Sequence, residues 1–124
     1  MATRVLPATQ MSEAELLRNV IDLAELLKWR CAHFRPGMNR RGVWSTAMSG
    51  TQAAGFPDLI LVRERLVIVE LKAEKGRTSP EQLDWFAALS NASVEVYCWR
   101  PEQWVSGEIE AVLRRCSTIG EVRS

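Results

Sequence analysis

Two short apolar runs separated by three charged residues constrain the fold of this chain more than any other feature. Residues 59–62 read Leu-Ile-Leu-Val, residues 63–65 read Arg-Glu-Arg, and residues 66–69 read Leu-Val-Ile-Val. Apolar runs joined by a short polar segment are typical of a β-hairpin. A hairpin that reverses symmetrically at the middle of this segment brings Asp58 opposite Glu70.

These two acids predict a cation site. Directly opposed residues on antiparallel strands have Cβ atoms about 5 Å apart, and carboxylates that close repel unless a proton or a cation lies between them. A hard divalent metal suits such a pair. Glu70 and Lys72 point to the same face of their strand, so the ammonium group of Lys72 lies beside the two acids. An isolated Glu-x-Lys is usually a solvated surface pair, but together with Asp58 it indicates phosphodiester cleavage.

The N-terminal part predicts an amphipathic helix. Ser12 and Glu15 form an S-x-x-E capping box, and an apolar stripe follows at helical spacing: Leu16, Leu17, Val20, Leu23, Ala24 and Leu27. Glu15 has a structural role at the cap, whereas Glu13 is spaced to project from the inward edge of the helix. An acid there needs a partner, and the predicted metal site is the expected one. Glu15 stays open as the alternative.

The other segments predict further strands and a short final helix. Strands are expected at residues 29–34 and 94–99, with a short strand near residues 43–47 in a Gly-rich and polar excursion. Residues 101–104 are expected to turn, and residues 107–115 to form the last helix.

A second helix is expected to start after the hairpin, with Ser79 as its N-cap, Pro80 at N1 and Gln82 at N3. Its packing face is expected to comprise Leu83, Phe86, Ala87 and Leu89. Strands that are apolar throughout are typical of sheets buried on both faces. The pattern therefore predicts an α/β fold with a mixed central β-sheet flanked by helices.

Composition predicts one cytoplasmic domain. The chain has 124 residues, of which 47% are hydrophobic, enough for a single core. Residues 1–11 are expected to be a flexible arm, residues 12–115 the domain and residues 116–124 a tail. No apolar stretch approaches the roughly 20 residues of a membrane span, and no signal-peptide core is present in residues 1–10. No membrane partner is expected.

Basic residues are unevenly distributed, although the net charge is only +1. No acidic residue lies between Glu25 and Asp58. Such a stretch suits phosphate contacts, although it could also be a solvated loop. The predicted DNA-binding residues are Arg35, Arg40, Arg41, Lys75 and Arg77.

Two motifs resemble a known family. Pro57-Asp58, the hairpin and Glu70-Leu71-Lys72 together resemble the PD-(D/E)XK nuclease superfamily. Residues 55–60 (GFPDLI), followed by residues 79–82 (SPEQ), resemble its VRR-NUC branch, and the likeness extends from about residue 11 to residue 113. This resemblance implies a restriction-endonuclease-like core and a Mg²⁺-dependent DNA endonuclease in which Mn²⁺ can substitute. Its small stand-alone members resemble homodimers that resolve branched, four-way (Holliday) junctions.

The resemblance implies a catalytic set that comprises Asp58, Glu70, Lys72, Gln82 and Glu13. Asp58 and Glu70 would bind the metal with the Leu71 carbonyl, and Lys72 would support the attacking water. Glu13 would bind a second metal or hold one of the metal's waters. For Gln82 two interpretations stay open, because a capping box explains this glutamine without any active site.

Other functions stay open as well. A catalytically silent DNA-binding module could use the same scaffold, although it would have no need of two acids facing phosphate. A nuclease acting on flapped or linear DNA would use the same chemistry. Trp99 and Trp104 are expected to anchor the homodimer interface.

Overall fold

The computed structural model describes residues 10–34, 36–38, 44–46 and 53–116. Almost all of the predicted arm and tail lies outside these residues, as do Arg35, Arg40 and Arg41. In chain order the elements are α1 (Glu13–Leu26), β1 (Arg30–His33), β2 (Pro36–Met38), β3 (Trp44–Thr46), β4 (Leu59–Val62), β5 (Leu66–Leu71), α2 (Pro80–Asn91), β6 (Glu95–Trp99), α3 (Pro101–Val105) and α4 (Glu108–Arg114). Within the described part, no helix is long and apolar enough to cross a bilayer.

The central sheet is mixed, as predicted. Its strand order is β1-β4-β5-β6, and β2 pairs with β3 in a separate ribbon. The β1–β4 and β4–β5 pairs are antiparallel, while β5 and β6 run parallel. Parallel neighbours need a crossover connection, and α2 supplies it between β5 and β6.

The hairpin has the predicted symmetric register. Val62 pairs with Leu66, and Leu59 pairs with Val69 at the far end of the ladder. One step further along the same register, Asp58 lies beside Glu70. The turn closes with a hydrogen bond from the Arg63 amide to the Arg65 carbonyl at 3.1 Å.

One face of the sheet, called here the α1 face, carries the main core. Its strand residues alternate with those of the other face, and they pack with α1 and α4 in a buried cluster that includes Leu16, Val20, Leu59, Leu61, Val67, Val69, Leu71, Trp99, Ile109 and Leu113. Trp99 is only 1% exposed and Trp104 packs against this cluster. The expectation that Trp99 anchors a homodimer interface is therefore wrong, because the core already uses its ring. For Trp104, which is only partly buried, the expectation stays a prediction.

The opposite face, called here the α2 face, is only partly covered. Ile68 is buried, but Val62 and Leu66 are exposed. No residue of α2 is buried, and Leu83 is 56% exposed. Full burial on both faces was thus the wrong expectation, as was the packing role of Leu83. An apolar run without alternation does not reveal how much of each face a helix covers, and here one helix lies along β6.

Helix boundaries follow the predicted caps. Ser12 caps α1 and Ser79 caps α2, each in a reciprocal capping box. The predicted turn at residues 101–104 is wrong, since residues Pro101–Val105 form α3. Proline at N1 is compatible with a helix start, and the Gln103 side chain accepts a hydrogen bond from the Arg100 amide at 2.8 Å.

Candidate active site

Three charged side chains meet where the β4–β5 hairpin opens. Asp58 directly precedes β4, Glu70 lies near the end of β5, and Lys72 follows that strand. Glu70 is 5% exposed and is the one charged residue that is buried in the described part of the chain. Its Oε2 lies 3.4 Å from Lys72 Nζ. The spacing of two residues places both side chains on the α2 face, as predicted.

Asp58 holds a strongly perturbed carboxyl group. Burial, with the neighbouring Glu70 charge as a second cause, raises the pKa of Asp58 to about 7, although a hydrogen bond from the Leu71 amide acts in the opposite direction. Its Oδ1 is buried and has no hydrogen-bond partner among the described residues. A buried oxygen without a partner costs about 1–3 kcal/mol. The group is therefore ready to accept a proton or a cation.

Glu70 differs from Asp58 because its charge is compensated. Burial raises the pKa of Glu70, while the charge and the hydrogen bond of Lys72 lower it. Gln82 also donates from Nε2 to Glu70 Oε2 at 2.8 Å. Two donors thus share Oε2, and they fix the orientation of the carboxylate.

Gln82 makes contacts that match both interpretations left open by the sequence, a capping role and a place beside the acid pair. Its Oε1 accepts from the Ser79 amide at 3.0 Å, and its own amide donates to Ser79 Oγ at 3.1 Å. The side chain thus completes the capping box with its oxygen and contacts Glu70 with its nitrogen. A primary amide can do both because it carries an acceptor and two donor hydrogens.

Gly55 brings the Asp58 loop against the first turn of α2. Its φ is +84°, a left-handed conformation that glycine adopts without a steric penalty. A Cβ at this position would lie 2.5 Å from the Glu81 carbonyl carbon and 2.7 Å from the Gln82 nitrogen. The close approach of two backbones therefore requires a glycine here.

Aromatic side chains secure the same loop. Phe56 packs edge-to-face on Trp85, with ring centroids 4.9 Å apart, and it makes a second edge-type contact with Phe34 at 5.9 Å. Trp85 Nε1 also donates to the Ala54 carbonyl at 3.1 Å. The Phe34 amide donates to the Asp58 carbonyl at 2.8 Å. The loop that carries Asp58 is thus tied to both β1 and α2.

Glu13 reaches the acid pair through its charge. Burial is the largest cause of the raised pKa of both acids, and for Asp58 the Glu70 charge is the second. The charge of the Glu13 carboxylate raises the pKa of both acids further. Glu13 is itself exposed. Glu15 forms the cap with Ser12, at 2.9 and 3.0 Å. The Glu13 charge contributes to the pKa shifts of both acids, whereas Glu15 is engaged in the capping box, and the choice of Glu13 as the helix carboxylate of the site stays a prediction.

The donor atoms suit a hard divalent metal. The unpartnered Asp58 oxygen, the Glu70 carboxylate and a backbone carbonyl are oxygen ligands of the kind that Mg²⁺ prefers. The Leu71 amide faces Asp58, and the amide and carbonyl of one strand residue point to the same side. No three His, Cys, Asp or Glu side chains among the described residues are grouped to hold a metal. A ligand role for Glu13 therefore stays a prediction.

Of the predicted DNA-binding residues, two are described. Lys75 and Arg77 are exposed in the segment between β5 and α2, on the side of Lys72. Sequence reasoning overlooked Arg100, whose guanidinium contacts this same segment. An arginine directly after the last predicted strand was the only available signal.

The comparisons with known proteins agree with this geometry. Residues 37–101, just over half of the chain, match the model of the VRR-NUC domain. The matched range includes Asp58, Glu70, Lys72 and Gln82. No curated protein and no solved structure matches the chain significantly.

Proposed function

Because this chain belongs to the VRR-NUC domain family, a family of nucleases, we propose that it hydrolyses DNA phosphodiester bonds with the help of Mg²⁺ or Mn²⁺. The observation that carries this proposal is the buried, unpartnered Asp58 Oδ1 beside Glu70. A solvated surface pair would not keep an acceptor out of water without a partner. An acid pair of this kind gains stability from a cation.

The side chains divide the chemistry between them. A divalent metal, when bound, would polarise the scissile phosphate and lower the pKa of a water molecule. Asp58, Glu70 and the Leu71 carbonyl would hold it. Lys72, with Nζ 3.4 Å from Glu70 Oε2, orients the attacking water and stabilises the developing negative charge. Gln82 keeps Glu70 in position. The resemblance to the PD-(D/E)XK superfamily implies products with 5′-phosphate and 3′-hydroxyl ends.

Branched DNA is the proposed substrate, and a homodimer the proposed assembly. The domain carries one acid pair, whereas a four-way junction needs two incisions in strands related by two-fold symmetry. A C2 dimer supplies two sites with that symmetry. Exposed apolar side chains on the α2 face, such as Val62, Leu66 and Leu83, support an interface there rather than at the buried Trp99.

The test compares DNA structures under matched conditions. Purified protein is incubated with linear duplex, flapped, single-stranded and four-way DNA of shared sequence at fixed salt, with Mg²⁺, Mn²⁺ or EDTA. We expect metal-dependent cleavage that is fastest on four-way DNA. Equal rates on all substrates would contradict junction selectivity but not the nuclease proposal.

Variants assign the chemistry to the site. Asp58→Ala and Glu70→Ala should abolish cleavage, and Lys72→Ala should lose most activity while still binding metal in calorimetry. Asp22→Asn removes an exposed acid of α1 and is the matched control, with activity unchanged. Full cleavage by the Asp58 and Glu70 variants would refute the site. DNA binding without cleavage by the wild type would instead favour the silent binding module.

Light scattering tests the assembly separately. We expect a dimer at micromolar concentration, and Leu83→Lys should favour the monomer because it charges an exposed apolar position. A wild-type monomer would defeat the homodimer.

A further inference from the structure

Arg100 makes an unusual set of contacts beside the proposed active site. It follows the last residue of β6, and its Nη1 donates to the Gly76 carbonyl at 2.6 Å and to the Ala73 carbonyl at 2.9 Å. The Glu74 carbonyl lies 3.4 Å from the same nitrogen. Hydrogen bonds from a charged donor are about twice as strong as neutral ones. Arg100 thus binds the backbone carbonyls of the turn at residues 73–76.

This turn lies close to the side chain of Lys72. The Gly76 amide donates to the Ala73 carbonyl at 3.0 Å and closes the turn. A Cβ built on Gly76 would lie 3.4 Å from Lys72 Cδ, which is van der Waals contact, so the aliphatic stem of the lysine lies within one methyl group of the turn. The Lys72 amide, in addition, donates to the carbonyl of Trp99, the neighbour of Arg100, at 3.0 Å.

We propose that Arg100 is a positioning residue for Lys72. By holding the carbonyls of residues 73–76, it keeps the turn against the lysine stem, and the stem in turn keeps the ammonium 3.4 Å from Glu70 Oε2. A lysine has four rotatable side-chain bonds and reaches many positions without such a support. The inference rests on the proposed function, because it assigns Lys72 its catalytic position.

A double-mutant cycle tests the proposal. Arg100→Ala should lower kcat about 10²-fold, the usual effect of a catalytic group misplaced by about 1 Å, while KM and DNA affinity change less than about twofold. In a Lys72→Ala background the same substitution should cause almost no further loss, because the group that it positions is gone. An additive loss, or an unchanged kcat in the single variant, would overturn the proposal.

Two variants separate positioning from general damage. All three carbonyls contact the single nitrogen Nη1 of Arg100. Arg100→Lys keeps one charged donor nitrogen, so it should show a smaller loss of kcat than Arg100→Ala with an unchanged melting temperature, and it replaces Arg100→Ala if that variant does not fold. Arg114→Ala removes an arginine whose guanidinium contacts exposed Glu110 on α4 at 2.6 Å, and it should leave kcat unchanged. A loss of kcat in Arg114→Ala as large as in Arg100→Ala would contradict the positioning role.

Hydrogen exchange gives a readout without DNA. In Arg100→Ala, the amides of residues 73–78 should exchange faster while those of β4 and β5 keep their protection. Unchanged exchange would overturn the positioning role even if the enzyme is active. Failure of the wild type to cleave any DNA would instead refute the proposed function.

Discussion

At Asp58 the chain holds a carboxyl group in a place that penalises its charge. Burial and the neighbouring Glu70 raise the pKa of Asp58 to about 7, whereas Glu70 has Lys72 and Gln82 as compensating partners. The two acids therefore differ in role although they lie side by side. The repulsion between the two carboxylates is compensated at Glu70 but not at Asp58. Asp58 is therefore the acid whose ionisation should respond most to a bound cation.

The raised pKa predicts an unusual pH dependence of stability. An aspartate titrates near 3.8 when unfolded and near 7 at this site, so the folded protein binds more protons between these values. Its extra stability is complete below pH 4 and is lost as the pH rises through 7, roughly 2–4 kcal/mol in total. Urea unfolding in EDTA should show this loss, and Asp58→Asn should remove it.

Added Mg²⁺ should reverse the trend, because a cation binds only the ionised pair. Wild-type stability would then be highest above pH 7. An Asp58→Asn variant with the same pH profile as the wild type would contradict the assignment of the shift to this carboxyl.

At the scale of elements, the first turn of α2 decides the shape of the site. Ser79 caps the helix, Gln82 links the cap to Glu70, and Gly55 lets the Asp58 loop approach the same turn. Helix stability and carboxylate orientation are thus coupled in one residue, Gln82. Substitutions can separate the two contributions.

Ser79→Ala and Gln82→Ala should differ in activity. Each removes part of the capping box, which should cost about 1 kcal/mol. Only Gln82→Ala also removes the 2.8 Å hydrogen bond to buried Glu70, which should cost about 1.5–3 kcal/mol more, and its cleavage rate should fall much further than that of Ser79→Ala. Chemical denaturation and single-turnover kinetics measure the two effects, and equal rate losses would assign Gln82 to the cap alone.

Gly55→Ala should disturb both the fold and the site. The left-handed conformation alone costs about 1–2 kcal/mol for a residue with a Cβ, and a Cβ 2.5 Å from the Glu81 carbonyl carbon forces the loop and α2 apart. We expect a lower melting temperature and loss of cleavage. Gly107→Ala is a useful control, since Gly107 has φ +86° but no atom within 4 Å of its Cβ position. A smaller effect at Gly55 than at Gly107 would contradict the close approach.

In the molecule as a whole, the two faces of the sheet have different tasks. The α1 face holds the core. Glu95 stabilises the turn end of the hairpin, because it accepts hydrogen bonds from Arg65 at 2.7 Å and from Arg115 at 2.6 Å. The α2 face carries the acids and Lys72, and the exposed residues Lys75 and Arg77 follow this lysine in the segment between β5 and α2. Stability and chemistry are therefore largely separated, so variants of the α2 face can change DNA contacts and leave the core intact.

Lys75 and Arg77 should contribute to the salt dependence of DNA binding. Each phosphate contact adds about 0.9 to the slope of log affinity against log salt for duplex DNA, so Lys75→Ala with Arg77→Ala should flatten the slope by about 2. The control is Arg18→Ala with Arg114→Ala, which removes two exposed charges from α1 and α4. Fluorescence anisotropy across a salt series measures both, and equal slopes for the two double variants would exclude the 73–78 segment from the interface.

The amino-acid sequence by itself determined the hairpin and its register. The symmetry of the two apolar runs about Glu64 sufficed to place Asp58 beside Glu70, because antiparallel pairing and turn position leave little freedom. The caps at Ser12 and Ser79 followed from local hydrogen bonding in the same way. These features depend on residues that are close along the chain.

Only the tertiary structure decided how the faces are covered and what surrounds the acids. Continuous apolar strands predicted burial on both sides, yet α2 leaves Val62 and Leu66 exposed, since coverage depends on where distant helices pack. The second contact of Gln82 joins α2 to β5, and Arg100 binds the carbonyl of Gly76, 24 residues earlier in the chain. Such contacts arise from packing geometry, and they cannot be predicted from local patterns of residue type.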